Sequence, residues 1–241
     1  MPGLDAFTSL QRETAIRETR MVGSYAAPQA VMAPPQTSMH EGLKRAMDVL
    51  GAGAMLLILS PVFLLVALIV RADGGPAFFA HRRVGRDGEG FGCLKFRSMV
   101  VDSQARLEAL LASDPAARAE WEATRKLKND PRVTKIGRFL RATSLDELPQ
   151  ILNVLRGEMS LVGPRPVIQP ELDRFYGAAA FLYMSVRPGI TGLWQVSGRS
   201  DTSYAQRVAL DVAYVSRPSL WQDIKILLRT PMVVLSRRGA R

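Results

Sequence analysis

From Val49 to Val70 the chain reads VLGAGAMLLILSPVFLLVALIV, with no charged residue. As a helix this run would extend about 33 Å, enough to cross a hydrocarbon layer of about 30 Å. Ser60-Pro61 interrupts its centre. Pro61 has no N–H for the carbonyl of Leu57 and its ring crowds that carbonyl, so a kink or break is predicted there, with the Ser60 hydroxyl placed to satisfy a freed carbonyl. Lys44 and Arg45 precede the run and Arg71, Arg82, Arg83 and Arg86 follow it. Positive charge on both flanks gives no asymmetry, and the positive-inside rule puts both ends in the cytoplasm. Two topologies stay open: a proline-kinked spanning helix, and a re-entrant helix-break-helix whose halves, about 16 Å each, reach the midplane and return.

The pattern elsewhere is that of a mainly helical chain. Residues 1–43 are rich in Pro, Ala and small polar residues after a short QRETAIRETR stretch, and read as a disordered leader without the apolar core of a secretory signal. Short runs at 77–84 and 91–99 flank a turn rich in Gly and Asp and predict a β-hairpin. Residues 103–127 predict two helices divided at Ser113-Asp114-Pro115, with Asp114 as cap and Pro115 opening the second. Further helices are predicted over 146–155, 169–181, 203–215 and 219–229. The last carries Trp221 and a broad apolar face, suited either to the membrane interface or to the core.

Charge and composition narrow the chemistry. The net charge of +10 is uneven: residues 1–43 carry −1 and the remainder +11. This excess suits an anionic partner, either a membrane surface or a phosphorylated substrate. Nucleic acid is disfavoured, because no helix-turn-helix, zinc or RNA-binding signature accompanies the charge. Cys93 is the lone cysteine, and His40 and His81 are far apart, so an internal disulfide and a Cys/His zinc site are excluded. A metal would be held by oxygen, which points to magnesium or manganese.

Asp146 and Glu147 stand together in RATSLDELPQIL, after a stretch with Arg132, Lys135, Arg138 and Arg141 and no acid. One reading is a helix cap, with Pro149 in the first turn and Ser144 and Glu147 as a capping box. The other is a carboxylate that attacks phosphate or binds its metal, with the basic groups holding the anion. Arg165 lies between two prolines in GPRP, on a backbone stiff enough for bidentate phosphate binding. RPGITGLWQVSGR sets Gly189, Gly192 and Gly198 between Arg187 and Arg199, a weak phosphate-loop signal, and Trp194 within it reads as core. Lys95 and Arg97 would share one strand face.

Taken in order, KRAMDV, the Ser60-Pro61 break, RVGRDG, KFRSM, DPRVTKIGRFLRATSLDELPQILNVLRGEMSLVGPRP and RPGITGLWQVSGR resemble the bacterial sugar transferases, the monotopic polyprenyl-phosphate phosphoglycosyl transferases. The resemblance covers nearly all of 44–241. His81 departs from it where the family's QxRVG has Gln. It implies an α+β, mainly helical monotopic membrane protein: a re-entrant membrane helix over 44–72, and a cytoplasmic catalytic domain over 73–241 with a small β-hairpin and interfacial amphipathic helices. A short, exopolysaccharide-initiating form at the bacterial inner membrane is expected.

The implied reaction moves a hexose-1-phosphate from a UDP-sugar, glucose or galactose, to undecaprenyl phosphate and releases UMP. Asp146 and Glu147 map onto the family's dyad, with Asp146 as nucleophile and ligand to Mg2+ and Glu147 in support. A carboxylate about 4 Å from a phosphate charge, at an effective dielectric near 20, is repelled by about 4 kcal/mol, roughly a thousandfold in rate. Cations must offset this. Arg138, Arg141, Arg165 and Arg187 are the first candidates, and Lys95 and Arg97 the second. A non-catalytic basic scaffold docked on the membrane is the competing reading, and a homo-oligomer is compatible with either.

Overall fold

The computed structural model describes residues 38–124, 126–198 and 202–235. Most of the expected leader therefore lies outside the described residues. Its boundary at 43 does not hold, because the first helix, α1, spans Ser38–Arg71 and takes in Met39–Leu43. Helix α1 is helical at every position through Pro61, so the predicted separation into two helices is not seen. The Ser60 hydroxyl donates to the carbonyl of Leu57 at 2.8 Å, the very group that Pro61 leaves without a partner.

Helix α1 is no buried core helix. Only 11% of its most apolar window is buried, and Leu50, Leu57, Ile58, Leu64, Leu65 and Leu68 are exposed along one side. The opposite side packs on the rest of the molecule at both ends. Near the start, Arg45 donates to the carbonyls of Val154 and Leu155, and Lys44 reaches the carbonyl of Val162 and the carboxylate of Asp223. Asp48 is buried and accepts from Ser160 Oγ and Leu161 N–H. Near the end, Val66 and Val70 join Phe96 and Leu140 in one apolar cluster, and the ring of Phe63 lies against those of Phe78 and Phe96.

The hairpin forms as predicted, from β1 (Phe78–Val84) and β2 (Gly90–Phe96), antiparallel, with Phe79 opposite Lys95 and His81 opposite Cys93. Asp87 and Gly88 make the turn with positive φ. Helices α2 (Ser103–Ser113) and α3 (Pro115–Thr124) divide at Asp114, whose carboxylate caps the amides of Ala116 and Ala117.

Helix α4 (Lys135–Thr143) was not predicted. A 3₁₀ turn, Leu145–Glu147, follows it and leads into α5 (Gln150–Arg156). Then come β3 (Ser160–Val162), α6 (Gln169–Phe175), α7 (Ala180–Met184), β4 (Gly189–Thr191), α8 (Leu193–Ser197), α9 (Tyr204–Ser216) and α10 (Leu220–Leu235). The parallel pair β3–β4 was also unforeseen. Helix α9 starts on a capping box between Ser203 and Gln206. Helix α10 serves both readings of its sequence: Asp223 and Ile226 are buried, while Trp221, Leu228 and Met232 are exposed.

Candidate active site

Three segments bring the dyad to its neighbours. Thr134 caps α4 by accepting from Gly137 N–H. A Cβ on Gly137 would lie 2.0 Å from the carbonyl oxygen of Ser98, so only glycine lets α4 approach the strand exit this closely. One helical turn on, Arg141 faces the same way and its Nε donates to Ser98 Oγ at 2.9 Å. Ser144 then closes α4 in the left-handed conformation, φ 58°, and swings Leu145–Glu147 back across the end of β2. There Lys95 Nζ lies 2.6 Å from Oε1 of Glu147 and 3.9 Å from Oδ2 of Asp146.

The cap reading of Asp146 gives way to this geometry. Helix α5 begins only at Gln150, with Pro149 at its cap position, and Ser144 makes no side-chain cap. Asp146 sits within a 3₁₀ turn, and burial pushes its carboxyl above the ordinary value, against the opposing pull of Lys95 and Arg141. Burial acts the same way on Glu147. There the positive field of Lys95, with Arg165 and Arg83, outweighs it and holds the carboxyl below its ordinary value. Two adjacent acids thus have their affinities for a proton pushed apart, as in sites that divide roles between two carboxylates. Cys93 is beside this site but is no nucleophile, since burial pushes its thiol up to about 11.

The structure gathers some of the predicted cations and removes others. Lys95, Arg141 and Arg165 act on the dyad. Arg165 is exposed between the buried Pro164 and Pro166, as GPRP implied. Arg138 lies on the exposed side of α4, one residue round from the face that carries Gly137 and Arg141. Arg132 is spent in a pair with Asp130 at 2.7 Å.

Arg97 does not share a face with Lys95 at the site. Strand β2 ends at Phe96, and Arg97 turns away to clasp Asp73 and the carbonyls of Val70 and Pro76. Arg187 is also diverted: its Nε donates to the carbonyl of Gly157 at 2.7 Å, so with Arg45 it satisfies the carboxyl end of α5. Gly189 and Gly192 serve close backbone packing rather than an anion. A Cβ on either would lie about 2 Å from the backbone of Gly163, and Gly189 N–H is committed to the carbonyl of Pro164. Arg83 was not singled out by sequence. The hairpin register was the available signal, because it puts His81 and Arg83 on the face of Lys95.

Among the described residues no three of His, Cys, Asp and Glu gather as a metal site. The adjacent carboxylates are still a fit for magnesium, which is usually held by one or two carboxylates and completed by substrate phosphates and water. Asp146 is the freer of the two, since Lys95 is tight on Glu147.

The family model described as bacterial sugar transferase matches residues 39–237. The chain belongs to the bacterial sugar transferase family. Among its relatives is a UDP-galactose-lipid carrier transferase of Erwinia amylovora, 57% identical over 198 residues that cover 82% of this chain and 41% of the relative. An undecaprenyl-phosphate galactose phosphotransferase of Salmonella typhimurium is 55% identical over 198 residues, 82% of this chain and 41% of the relative. An exopolysaccharide production protein ExoY of Rhizobium meliloti is 55% identical over 196 residues, 80% of this chain and 86% of the relative. The sugar transferase chain thus spans about two fifths of the first two relatives and most of the third. The matched region holds all of α1 after Ser38, the dyad and every cation around it.

Proposed function

We propose that this chain is a polyprenyl-phosphate hexose-1-phosphate transferase, which moves a sugar-1-phosphate from a UDP-sugar to undecaprenyl phosphate with release of UMP. The observation that carries the proposal is a buried carboxylate, Asp146, with Lys95 3.9 Å away and Arg141 in its field, beside an ionised Glu147 on which Lys95 and Arg165 act. In this reading a carboxylate oxygen of Asp146 attacks the β-phosphorus of the donor. The bond from that phosphorus to the bridging oxygen breaks, and the oxygen leaves on the α-phosphate as UMP. The phosphate oxygen of the lipid then attacks the same phosphorus, breaks its bond to Asp146 and restores the carboxylate. Lys95, Arg141 and Arg165 offset the charge repulsion of each approach, and Glu147, held ionised by Lys95, orients that lysine toward Asp146. Magnesium held by Asp146 would add charge neutralisation of the phosphates.

The lipid substrate gives the exposed stripe of α1 a purpose. Both ends of α1 are bound to one folded unit, through Lys44 and Arg45 at one end and Val70 at the other. A helix so tethered enters and leaves by one face, which supports a re-entrant anchor with the site at headgroup level on the cytoplasmic side of the inner membrane. The donor sugar is galactose or glucose, and the role is initiation of exopolysaccharide or glycoconjugate assembly.

The test gives purified protein magnesium, UDP-galactose or UDP-glucose, and undecaprenyl phosphate, and measures UMP. Wild-type release abolished by Asp146→Asn is expected. Release that survives this change unaltered would sink the assignment of the nucleophile.

A further inference from the structure

Trp194 on α8 is buried, with two arginines on its ring: Cζ of Arg207, from the first turn of α9, lies 4.7 Å from the ring centroid, and Cζ of Arg165 lies 5.9 Å away. Arg207 Nε donates to Thr202 Oγ1 at 3.3 Å, but neither guanidinium has a carboxylate partner among the described residues. Two like charges against one indole repel each other, and stacking offsets only part of that. Stacked guanidinium groups keep their N–H edges turned outward, a geometry that suits phosphate. The pair also connects with the dyad, because the charge of Arg165 acts both on Glu147 and on Tyr204, and Tyr204 lies under Arg207.

Two sources of phosphate meet in this reaction, and the groups packed beside the dyad differ from those packed beside Arg207. Leu145 and Leu148, on either side of the dyad, pack in a cluster with Phe63, Val66 and Val70 of the apolar helix. Tyr204 packs instead in a cluster that contains no residue of α1. The dyad is thus flanked through Leu145 and Leu148 by the Val66–Val70 end of α1, whereas α8, which carries Trp194, shares a cluster with Ala52, Leu56 and Leu59 nearer the middle of α1 through Leu193 and Val196. We infer that Arg207 and Arg165, mounted on Trp194, hold the nucleotide phosphate of the donor, the group that departs as UMP. This rests on the transferase reading for the identity of the donor, and it adds Arg207 as a binding residue and Trp194 as its platform.

The experiment titrates UMP and uridine into the full-length protein in nanodiscs by calorimetry, and separately measures KM for the UDP-sugar and for undecaprenyl phosphate. Arg207→Gln should weaken UMP about ten- to hundredfold, as for loss of a hydrogen bond to a charged group. Uridine binding should not change. KM for the UDP-sugar should rise in parallel, with KM for the lipid unmoved. Arg207→Lys should recover part of the loss, Arg165→Gln should also weaken UMP while slowing both half-reactions, and Lys225→Gln, on α10, should behave as wild type. UMP affinity unaltered by Arg207→Gln overturns the inference, as does a wild type that binds no UMP or a loss confined to KM for the lipid. A wild type that binds UMP through Arg207 but transfers no sugar-phosphate would overturn the transferase reading and leave this site standing.

Discussion

Replacing Lys95 by methionine removes the cation that stands nearest both carboxylates and keeps the reach of the side chain. Unit charges about 4 Å apart at an effective dielectric near 20 attract by about 4 kcal/mol. Lys95 and Glu147 keep 25% and 34% of their side-chain surface exposed, so solvent screens the pair. Halving the figure for that screening leaves about 2 kcal/mol, and a loss of this size in the transition state is about thirtyfold in kcat/KM.

The pH profile carries the sharper signature. Glu147 is held below its ordinary value by Lys95 against the effect of burial. In the wild type its ionisation therefore contributes stability that is present above the unfolded value and is lost only as pH falls through the lowered folded value. Without Lys95 burial prevails, both carboxyls move up, and the acid limb of kcat/KM moves to higher pH. UMP release measured across the pH range reads both effects. A variant within about threefold of wild type at neutral pH, with a superimposable acid limb, would refute the claim that Lys95 sets the charge of the dyad.

Arg97→Ala should lower stability in denaturant unfolding, because it leaves the carbonyls of Val70 and Pro76 without the guanidinium that donates to them, while KM for both substrates stays put. Gly137→Ala should destabilise by about 1–3 kcal/mol and lower kcat as well, since the new methyl must push α4 and Arg141 away from Ser98. Asp211 is buried with only the hydroxyl of Tyr176 as partner among the described residues, and its carboxyl is pushed up to about 7. Because the folded state keeps a proton that the unfolded state releases, stability should fall as pH rises from the ordinary aspartate value toward 7 and then level off, a change of order 4 kcal/mol. Asp211→Asn should flatten that slope in unfolding titrations.

Where the pattern was local, the sequence was legible. The hairpin and the Asp114 division each rest on residues within a few positions of one another, and both formed. Asp146, Glu147 and Arg165 could be picked out as candidates because adjacent acids and a proline-framed arginine are visible in one line. What failed depended on the partners that distant segments supply. Arg187 matched a phosphate-binding pattern, but α5 offers it a bare carbonyl at Gly157. Arg97 matched the alternation of Lys95, but the strand stops one residue short and Asp73 lies within reach. Helix α4 was hidden because Gly137 lowers its helix propensity and the like charges of Lys135, Arg138 and Arg141, three residues apart, repel along it, while its stability comes from contact with Ser98 and from burial of Leu140.

The re-entrant topology proposed for α1 rests on the same tertiary contacts and can be tested without activity. Residues 39 and 72 are joined by an unbroken helix that a straight path would make about 50 Å long, well beyond a hydrocarbon core of about 30 Å. A straight crossing would leave them on opposite faces of the bilayer. Yet Glu41, two residues after Met39, is 3.3 Å from Arg86 of the hairpin turn, and Arg97, just beyond β2 of that hairpin, holds the carbonyl of Val70, two residues before Ala72. The hairpin thus binds the helix near both its ends. In a Cys93→Ser background, cysteines at Met39 and Ala72, both exposed, should react with a membrane-impermeant maleimide from the same face of oriented vesicles. Labelling from opposite faces would mean that α1 spans the bilayer, and the contacts of Arg86 and Arg97 could not then both exist in the membrane-bound protein.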